Sequence, residues 1–260
     1  KQSKMDMIDY KNMIHYREID KETIEYFETW ENIDGYFDRN PKVADKIQLT
    51  SDGDIDNIMD NTNVPWVSIP DIPVPWKDIH KEASHLLETE CFTVHRSPGS
   101  SGWLSLCIHG MSSVHTNCPE DYDLPDSAEE ELSDWTDIAK FCPITKEWMQ
   151  DEMLYEQFGR VRFMCVLPGG WIMPHSDTDR VAGLGATNVA INNPNGCALV
   201  MEEYGTMPFT PGSVFKINTG HVHSVWNRSE EPRIHMIFDG MPSVEFKRKV
   251  NENYAKMFNV

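Results

Sequence analysis

From Val161 onward, short apolar runs alternate with turn signals, and this spacing constrains the fold more than any other feature of the chain. The runs are 162–167, 188–191, 198–201, 212–217, 222–226 and 234–238. Between them stand Pro168-Gly169-Gly170, the segment 192–196 and the segment 227–232, rich in Pro, Gly and Asn. Runs this short are strand length, and their separators cannot continue a helix. Evenly spaced strands of this kind predict an antiparallel sandwich or barrel of jelly-roll type.

The rest of the chain has a different texture. Asp20 is placed to cap a helix from Lys21 to about Asn32, with Ile24, Phe27 and Trp30 on one face. Four prolines make 64–76 an extended connector, after which 79–88 reads as a short helix. Residues 103–108 (WLSLCI) are a strand candidate and 118–125 a loop. Ser127 and Glu130 have capping-box spacing ahead of Leu132 and Trp135. Residues 145–158 and the basic segment 244–258 read as helices. The expected fold class is α+β with a mainly β catalytic core. A β core over 160–240 is set on a mostly helical N-terminal elaboration, 1–159, and closed by a C-terminal helix within 241–260, all in one domain.

Charge and composition exclude several functions. The net charge of −19 repels nucleic acid and anionic membranes. No stretch of 18 apolar residues is present, and residues 1–10 lack the apolar core of a signal peptide. The six cysteines form no CxxC pair and are expected as reduced, mostly buried thiols in a cytoplasmic protein. Asp52, Asp54 and Asp56 have the alternation of a calcium loop, but the glycine is misplaced and no glutamate closes it, so calcium is not expected there.

The residues that carry chemistry lie in the β region. His175 and Asp177 stand two apart, which on a strand puts both on one face. His221 and His223 follow 46 and 48 residues later. Two imidazoles and one carboxylate on one side of a metal form the facial triad of non-heme Fe(II) oxygenases. Arg233 follows His223 by ten residues across a turn, and a hairpin there would return its guanidinium alongside His223 as a bidentate partner for a carboxylate.

The run 162–175 (RFMCVLPGGWIMPH), with His223-Ser224-Val225-Trp226-Asn227 and 233–239, resembles the aspartyl/asparaginyl β-hydroxylase-like family. The resemblance implies a double-stranded β-helix and a dioxygenase dependent on Fe(II) and 2-oxoglutarate, with succinate and CO2 as coproducts and ascorbate as a support for turnover. It implies that His175 and His223 bind iron and that Arg233 binds the distal carboxylate of 2-oxoglutarate. Asp177 departs from the hydroxylases of protein side chains, which lack a carboxylate there, and is similar to relatives acting on small molecules. A complete triad of His175, Asp177 and His223 is therefore expected, with a small amino-acid-like substrate and a peptidyl Asp or Asn residue as the alternative. A non-oxygenase cupin-like metalloprotein would use the same ligands without a need for Arg233. Asn188 stands where the protein hydroxylases have a histidine near the cosubstrate. The sequence around His223 favours it over His221 as the ligand. His235 shares strand parity with Arg233 and is expected to face the same pocket. Asp179 and Arg180 are either a solvated turn or contacts for a polar substrate. Trp103 and 107–110 are expected in the core or at the mouth of the site. The remaining histidines (His15, His80, His85, His95, His109 and His115) are expected to be hydrogen-bonded structural residues.

Overall fold

The longest strand runs from Tyr155 to His175 and passes through Pro168-Gly169-Gly170, where the sequence predicts a turn. The computed structural model describes residues 17–33, 59, 62–96, 99–178 and 183–258. Their elements, in chain order, are α1 (Lys21–Trp30), β1 (Trp66–Ser68), α2 (Trp76–Glu88), β2 (Thr93–Val94), β3 (Ser100–Gly110), α3 (Ser127–Leu132), β4 (Asp134–Trp135), α4 (Pro143–Asp151), β5 (Tyr155–His175), β6 (Thr187–Ala190), β7 (Cys197–Met201), β8 (Gly205–Thr206), β9 (Val214–Ile217), β10 (His223–Asn227), β11 (Arg233–Pro242) and α5 (Val244–Phe258).

All strand pairs are antiparallel and belong to one curled sheet. Its path runs β1-β9-β6-β11-β5-β10-β7-β8. The N-terminal half of β5 pairs with β11, and its C-terminal end pairs with β10. Two four-stranded layers therefore share β5: β9-β6-β11-β5 on one side and β5-β10-β7-β8 on the other. The fold is a double-stranded β-helix. β1 and β3 extend it from the N-terminal half, β3 along the free edge of β5.

The shared strand changes layer at a bulge. Ser101 pairs with Trp171 and Trp103 with Val166, so the four residues 167–170 stand opposite the single residue Gly102. A bulge bends a strand and increases its twist. Glycine is required here for contact as well as conformation. Gly169 has φ +75° and Gly102 φ +66°. A Cβ on Gly170 would lie 2.8 Å from the carbonyl oxygens of Leu167 and Ser101, and one on Gly102 would lie 3.2 Å from the Gly170 Cα.

The helices cover the outer faces. In α1, Asp20 caps as the sequence predicts, its carboxylate accepting from Thr23 N at 2.7 Å. Phe27 packs on Ala198 and Val200 of β7 and edge-on against Trp226 of β10. Glu82 of α2 caps α4, accepting from the backbone N–H groups of Ile144 and Thr145 at 2.8 and 2.9 Å. This satisfies orphan amides at the positive end of that helix.

Several elements differ from the sequence expectation. α4 stops at Asp151 instead of reaching Phe158, because 155–158 is recruited as strand by β11. There Tyr155 stacks on Phe158 and meets Phe238 and Phe246. The capping box at Ser127 is not formed: Asp126 is the N-cap and makes no side-chain cap bond. The proline-rich connector contains β1, which pairs with β9 and is itself the edge strand of the sheet, where missing N–H groups are tolerated. β10 and β11 do not form a hairpin, since each pairs with a different part of β5. The acidic segment around Asp52, Asp54 and Asp56 lies outside the described residues, as do His15, Asp179 and Arg180. Among the described residues no helix is long and apolar enough to cross a membrane, and all six cysteines are free.

Gly170→Ala forces a methyl group against two backbone carbonyls. It should destabilise the protein by about 2 kcal/mol through overpacking. That corresponds to a Tm lowered by roughly 4–8 °C for a chain of this size, read by thermal unfolding. An unchanged Tm would remove the close contact from the account of the bend.

Candidate functional site

The last residue of β5 and the first of β10 face each other: His175 pairs with His223. A second irregularity of register, between His223 and Val225, sits at Pro174, which has no N–H to give to the ladder. The two imidazole rings are 4.5 Å apart between centroids. Each ring is fixed by its own backbone. His175 Nδ1 donates to the Met173 carbonyl at 2.8 Å, and His223 Nδ1 donates to the His221 carbonyl at 2.9 Å. A carbonyl only accepts, so in each neutral ring the proton sits on Nδ1 and Nε2 keeps the lone pair that can bind a metal.

Asp177 completes the group. It lies beyond the end of β5, so strand parity does not place it. Its backbone N–H donates to the Thr219 carbonyl at 2.9 Å, which brings its carboxylate to 3.4 Å from His175 Nε2. The donor atoms of His175, Asp177 and His223 all lie within 4.8 Å of one another. Among the described residues they are the one group of three or more His, Cys, Asp or Glu side chains so arranged. Burial by itself would raise the Asp177 pKa. The His175 hydrogen bond and the His223, His175 and Arg96 charges overcome it and take the carboxyl down to about 2. Burial pulls the His223 pKa below its ordinary value. For His175 burial acts the same way, but the Asp177 hydrogen bond, the Met173 carbonyl and the Asp177 charge together outweigh it and the net direction is up. An ionised carboxylate and two imidazoles are the donor set that Fe(II) and Mn(II) accept.

Arg233 lies deeper, on the other layer. It opens β11 opposite Val166, nine residues back along β5 from His175. It therefore does not return alongside His223: the chain between β10 and β11 crosses from one layer to the other. The guanidinium is buried, only 4% exposed, and has no carboxylate partner among the described residues. Its Nε has no hydrogen-bond partner and its plane lies over Phe209. Burial pushes its pKa down to about 10, with opposing contributions from Cys197 and Cys165, so it stays cationic at neutral pH. His235 shares this face by the strand parity the sequence predicts, and Asn188 joins it from β6, His235 Nδ1 donating to Asn188 Oδ1 at 2.7 Å. With its proton committed to Asn188, Nδ1 cannot also accept from Arg233, so their 3.3 Å approach is only a contact. A buried guanidinium with unmatched donors fits an anionic ligand.

Above the triad opens a pocket of about 840 Å³, lined by Arg96, Trp103, Asn117, Glu120, Ile172 and His175 among others. Trp103 thus reaches the site, whereas Cys107 and Ile108 are core. Arg96 is a functional candidate that the sequence did not reveal. Its guanidinium is 3.8 Å from Asp177, and its backbone is held in the left-handed region, φ 42°. Ser100 Oγ accommodates that turn by donating to the carbonyls of His95 and Arg96. Arg96 is 79 residues from His175 in sequence, and only the pairing of β3 with β5 brings them together. A second cavity, about 510 Å³ beside β9, has no titratable side chain in its wall.

The other histidines are occupied elsewhere. His221 precedes β10 and donates Nε2–H to the Asn63 carbonyl at 2.7 Å, outside the triad. His109 Nδ1 donates to the Gly159 carbonyl at 2.7 Å, His80 approaches Asn192, and His115 stacks on Tyr122. His95 bonds Ser105 and Thr116, and burial first, then the Arg162 charge, hold its pKa near 3.

Among known proteins, three solved structures of similar backbone are prolyl hydroxylases. One is a prolyl-4-hydroxylase from Pseudomonas putida (12% identity, 72% of this chain and 96% of that one, TM-score 0.39). Another is a viral collagen prolyl hydroxylase from Paramecium bursaria Chlorella virus-1, solved with 2-oxoglutarate (12% identity, 66% and 93%, TM-score 0.37). The third is a prolyl hydroxylase from Trichoplax adhaerens, solved with a peptide of hypoxia-inducible factor (10% identity, 84% and 96%, TM-score 0.41). No curated protein matches the chain in sequence. The family model described as aspartyl/asparaginyl beta-hydroxylase matches residues 74–242, from ahead of α2 to the last residue of β11. That span is well over half of the chain and contains the triad, Arg233 and the pocket, and the protein is therefore a member of the aspartyl/asparaginyl β-hydroxylase family, a family of hydroxylating enzymes.

Proposed function

We propose that the protein is an Fe(II)- and 2-oxoglutarate-dependent dioxygenase that hydroxylates a C–H bond of a small, amino-acid-like substrate. The observation that carries this reading is the pairing of two features on the two layers. One is a triad whose neutral imidazoles each keep an Nε2 lone pair for a metal, and the other is a buried guanidinium without a counter-charge. His175, Asp177 and His223 would hold the iron, and Arg233 the distal carboxylate of 2-oxoglutarate, with His235 and Asn188 forming the polar wall beside it. His175, Asp177 and His223 would thereby place at the pocket an iron able to supply oxygen activation, with 2-oxoglutarate converted to succinate and CO2 and one oxygen atom delivered to the substrate. The chain's own contributions are positional. Backbone carbonyls hold the two imidazoles in the metal-binding tautomer. Trp103, Ile172 and Met173 wall the pocket with apolar surface and limit water. A pocket of about 840 Å³ supports a small molecule in preference to a peptide segment. The free thiols support a reducing compartment such as the cytoplasm. The elaborations before β5 and after β11 belong in this reading to one oxygenase domain.

The reading is tested by incubating the protein with Fe(II), 2-oxoglutarate and ascorbate and measuring succinate. A mass-spectrometric screen of free amino acids for the gain of one oxygen accompanies it. Absence of iron-dependent succinate under all conditions would reject it.

The ligand set makes two further predictions. By calorimetry with Mn(II), His223→Ala should abolish metal binding while His221→Ala leaves it intact, and Asp177→Gly should weaken it by at least about 10- to 100-fold. Normal metal binding by Asp177→Gly would take the carboxylate out of the site and revive a peptidyl substrate. Arg233→Lys keeps the charge but loses the planar fork. It should weaken 2-oxoglutarate by about 2–4 kcal/mol, roughly 30- to 1,000-fold, with metal affinity little changed. An unaltered 2-oxoglutarate affinity would remove Arg233 from the cosubstrate site.

A further inference from the structure

Arg233 is not the only uncompensated buried cation on the inner wall. Arg162 of β5 pairs with Ile237 of β11, and so shares the face of Arg233, which pairs with Val166 four residues further on. Four strand residues separate their register positions along the ladder by about 13 Å. Arg162 is 9% exposed, and its only hydrogen bond is from Nη1 to the Thr116 carbonyl at 3.0 Å. Its Nε has no partner. The two carboxylates nearby are engaged by the neighbouring Arg160: Glu129 lies 2.7 Å from its Nε, and Asp239 accepts from its backbone N–H and from Nη2. Among the described residues no carboxylate is left within ion-pair reach of Arg162.

The surroundings of Arg162 lead to the pocket. Ser105, Thr116 and His95 form a hydrogen-bonded polar row on the same wall, with distances of 2.7 to 3.2 Å. The His95 ring meets Trp103 edge-on at 4.3 Å. Trp103 and Asn117 line the pocket, and Asn117 Oδ1 is buried without a partner. The bend in β5 spans 167–170, so Arg162 lies five residues before it and His175 five residues after it. Arg162 thus lies on the layer before the bend and His175 on the layer after it.

We propose that Arg162 anchors a carboxylate of the prime substrate, so that the substrate is a carboxylic acid whose acid group is held on one layer while its reacting C–H lies over the triad on the other. The inner wall then carries one guanidinium for each of two anionic reactants. This rests on the oxygenase reading, and names the residue that holds the acid group of its amino-acid-like substrate.

The test uses ¹⁵N-labelled full chain carrying Zn(II) in place of iron and saturated with 2-oxoglutarate. Arginine Nε–H resonances are followed by NMR, and that of Arg162 is identified by its loss in Arg162→Lys. The probes are the proteinogenic L-amino acids and their C-terminal amides, whose affinities are measured by calorimetry. At least one free acid should shift the Arg162 resonance and bind about 30-fold or more tightly than its amide, the ratio expected for a charge-assisted bidentate pair. Arg162→Lys should reduce that preference at least about tenfold, because the fork is lost. If this variant does not fold, Arg96→Lys, which leaves Arg162 in place, should keep the wild-type acid-to-amide ratio, and loss of the ratio there overturns the proposal. Equal affinity for acids and amides, or a panel in which no acid moves the Arg162 resonance, overturns the proposal. Failure of the wild-type chain to take up Zn(II) and 2-oxoglutarate overturns the oxygenase reading beneath it, and the two failures are told apart at the loading step.

Discussion

Gly102 and Gly170 touch where β3 passes the bulge of β5, and the site depends on that contact. Side chains at either position would hold the strands apart, and the four residues 167–170 could not be accommodated opposite one. Without the bend, β5 would run straight in a single layer, with Arg162 and His175 some 40 Å apart at the usual rise per residue. With it, one covalent strand supplies partners to both β10 and β11. His175 and His223 then face each other at one end of the barrel while Arg233 lies deeper inside. The precision of the site is the precision of a strand ladder, which suits chemistry that requires reacting groups to be held in fixed relation.

Electrostatics on the inner wall follow a division of charge. Asp177 is the carboxylate of the triad, and Glu120 and Asp121 lie on the pocket wall. Arg160 is fully paired by Glu129 and Asp239 near the edge of the sheet. Arg233 and Arg162, both buried, are left without such partners. A chain with net charge −19 has no shortage of carboxylates, so two buried guanidiniums without one are specific features of the site. Leaving a buried cation uncompensated opposes folding, and an anionic ligand that enters removes that cost. The same wall keeps His235 and His95 neutral through burial and the nearby arginine charges, so that they serve as hydrogen-bonding groups and not as further cations.

The histidine tautomers illustrate how local backbone serves function. Both imidazoles of the triad donate to a carbonyl two residues earlier in the chain, Met173 for His175 and His221 for His223. The pattern is self-contained: it needs no distant residue to fix either ring. Asp177 is held differently, through a backbone hydrogen bond to Thr219, the turn that leads into β10. The triad is thus tied together by the two segments that carry it.

The sequence by itself determined the strand texture after Val161, the Asp20 cap and α1, the C-terminal helix, and the residue types of the triad. Each of these depends on local periodicity, on a side chain reaching its own backbone, or on chemistry that few residue types supply. Tertiary structure decided the rest. The segment 155–158 has helical composition locally, yet becomes strand because β11 offers it a ladder and Phe238 and Phe246 an aromatic surface. Pro168-Gly169-Gly170 has the composition of a turn but acts as a bulge, because β3 continues alongside on the other edge. Arg96 and Arg162 gain their meaning only from strand pairing, which places residues tens of positions apart on one wall. Nothing in their immediate neighbours announces it, because pairing energy and the burial of charge are properties of the assembled sheet.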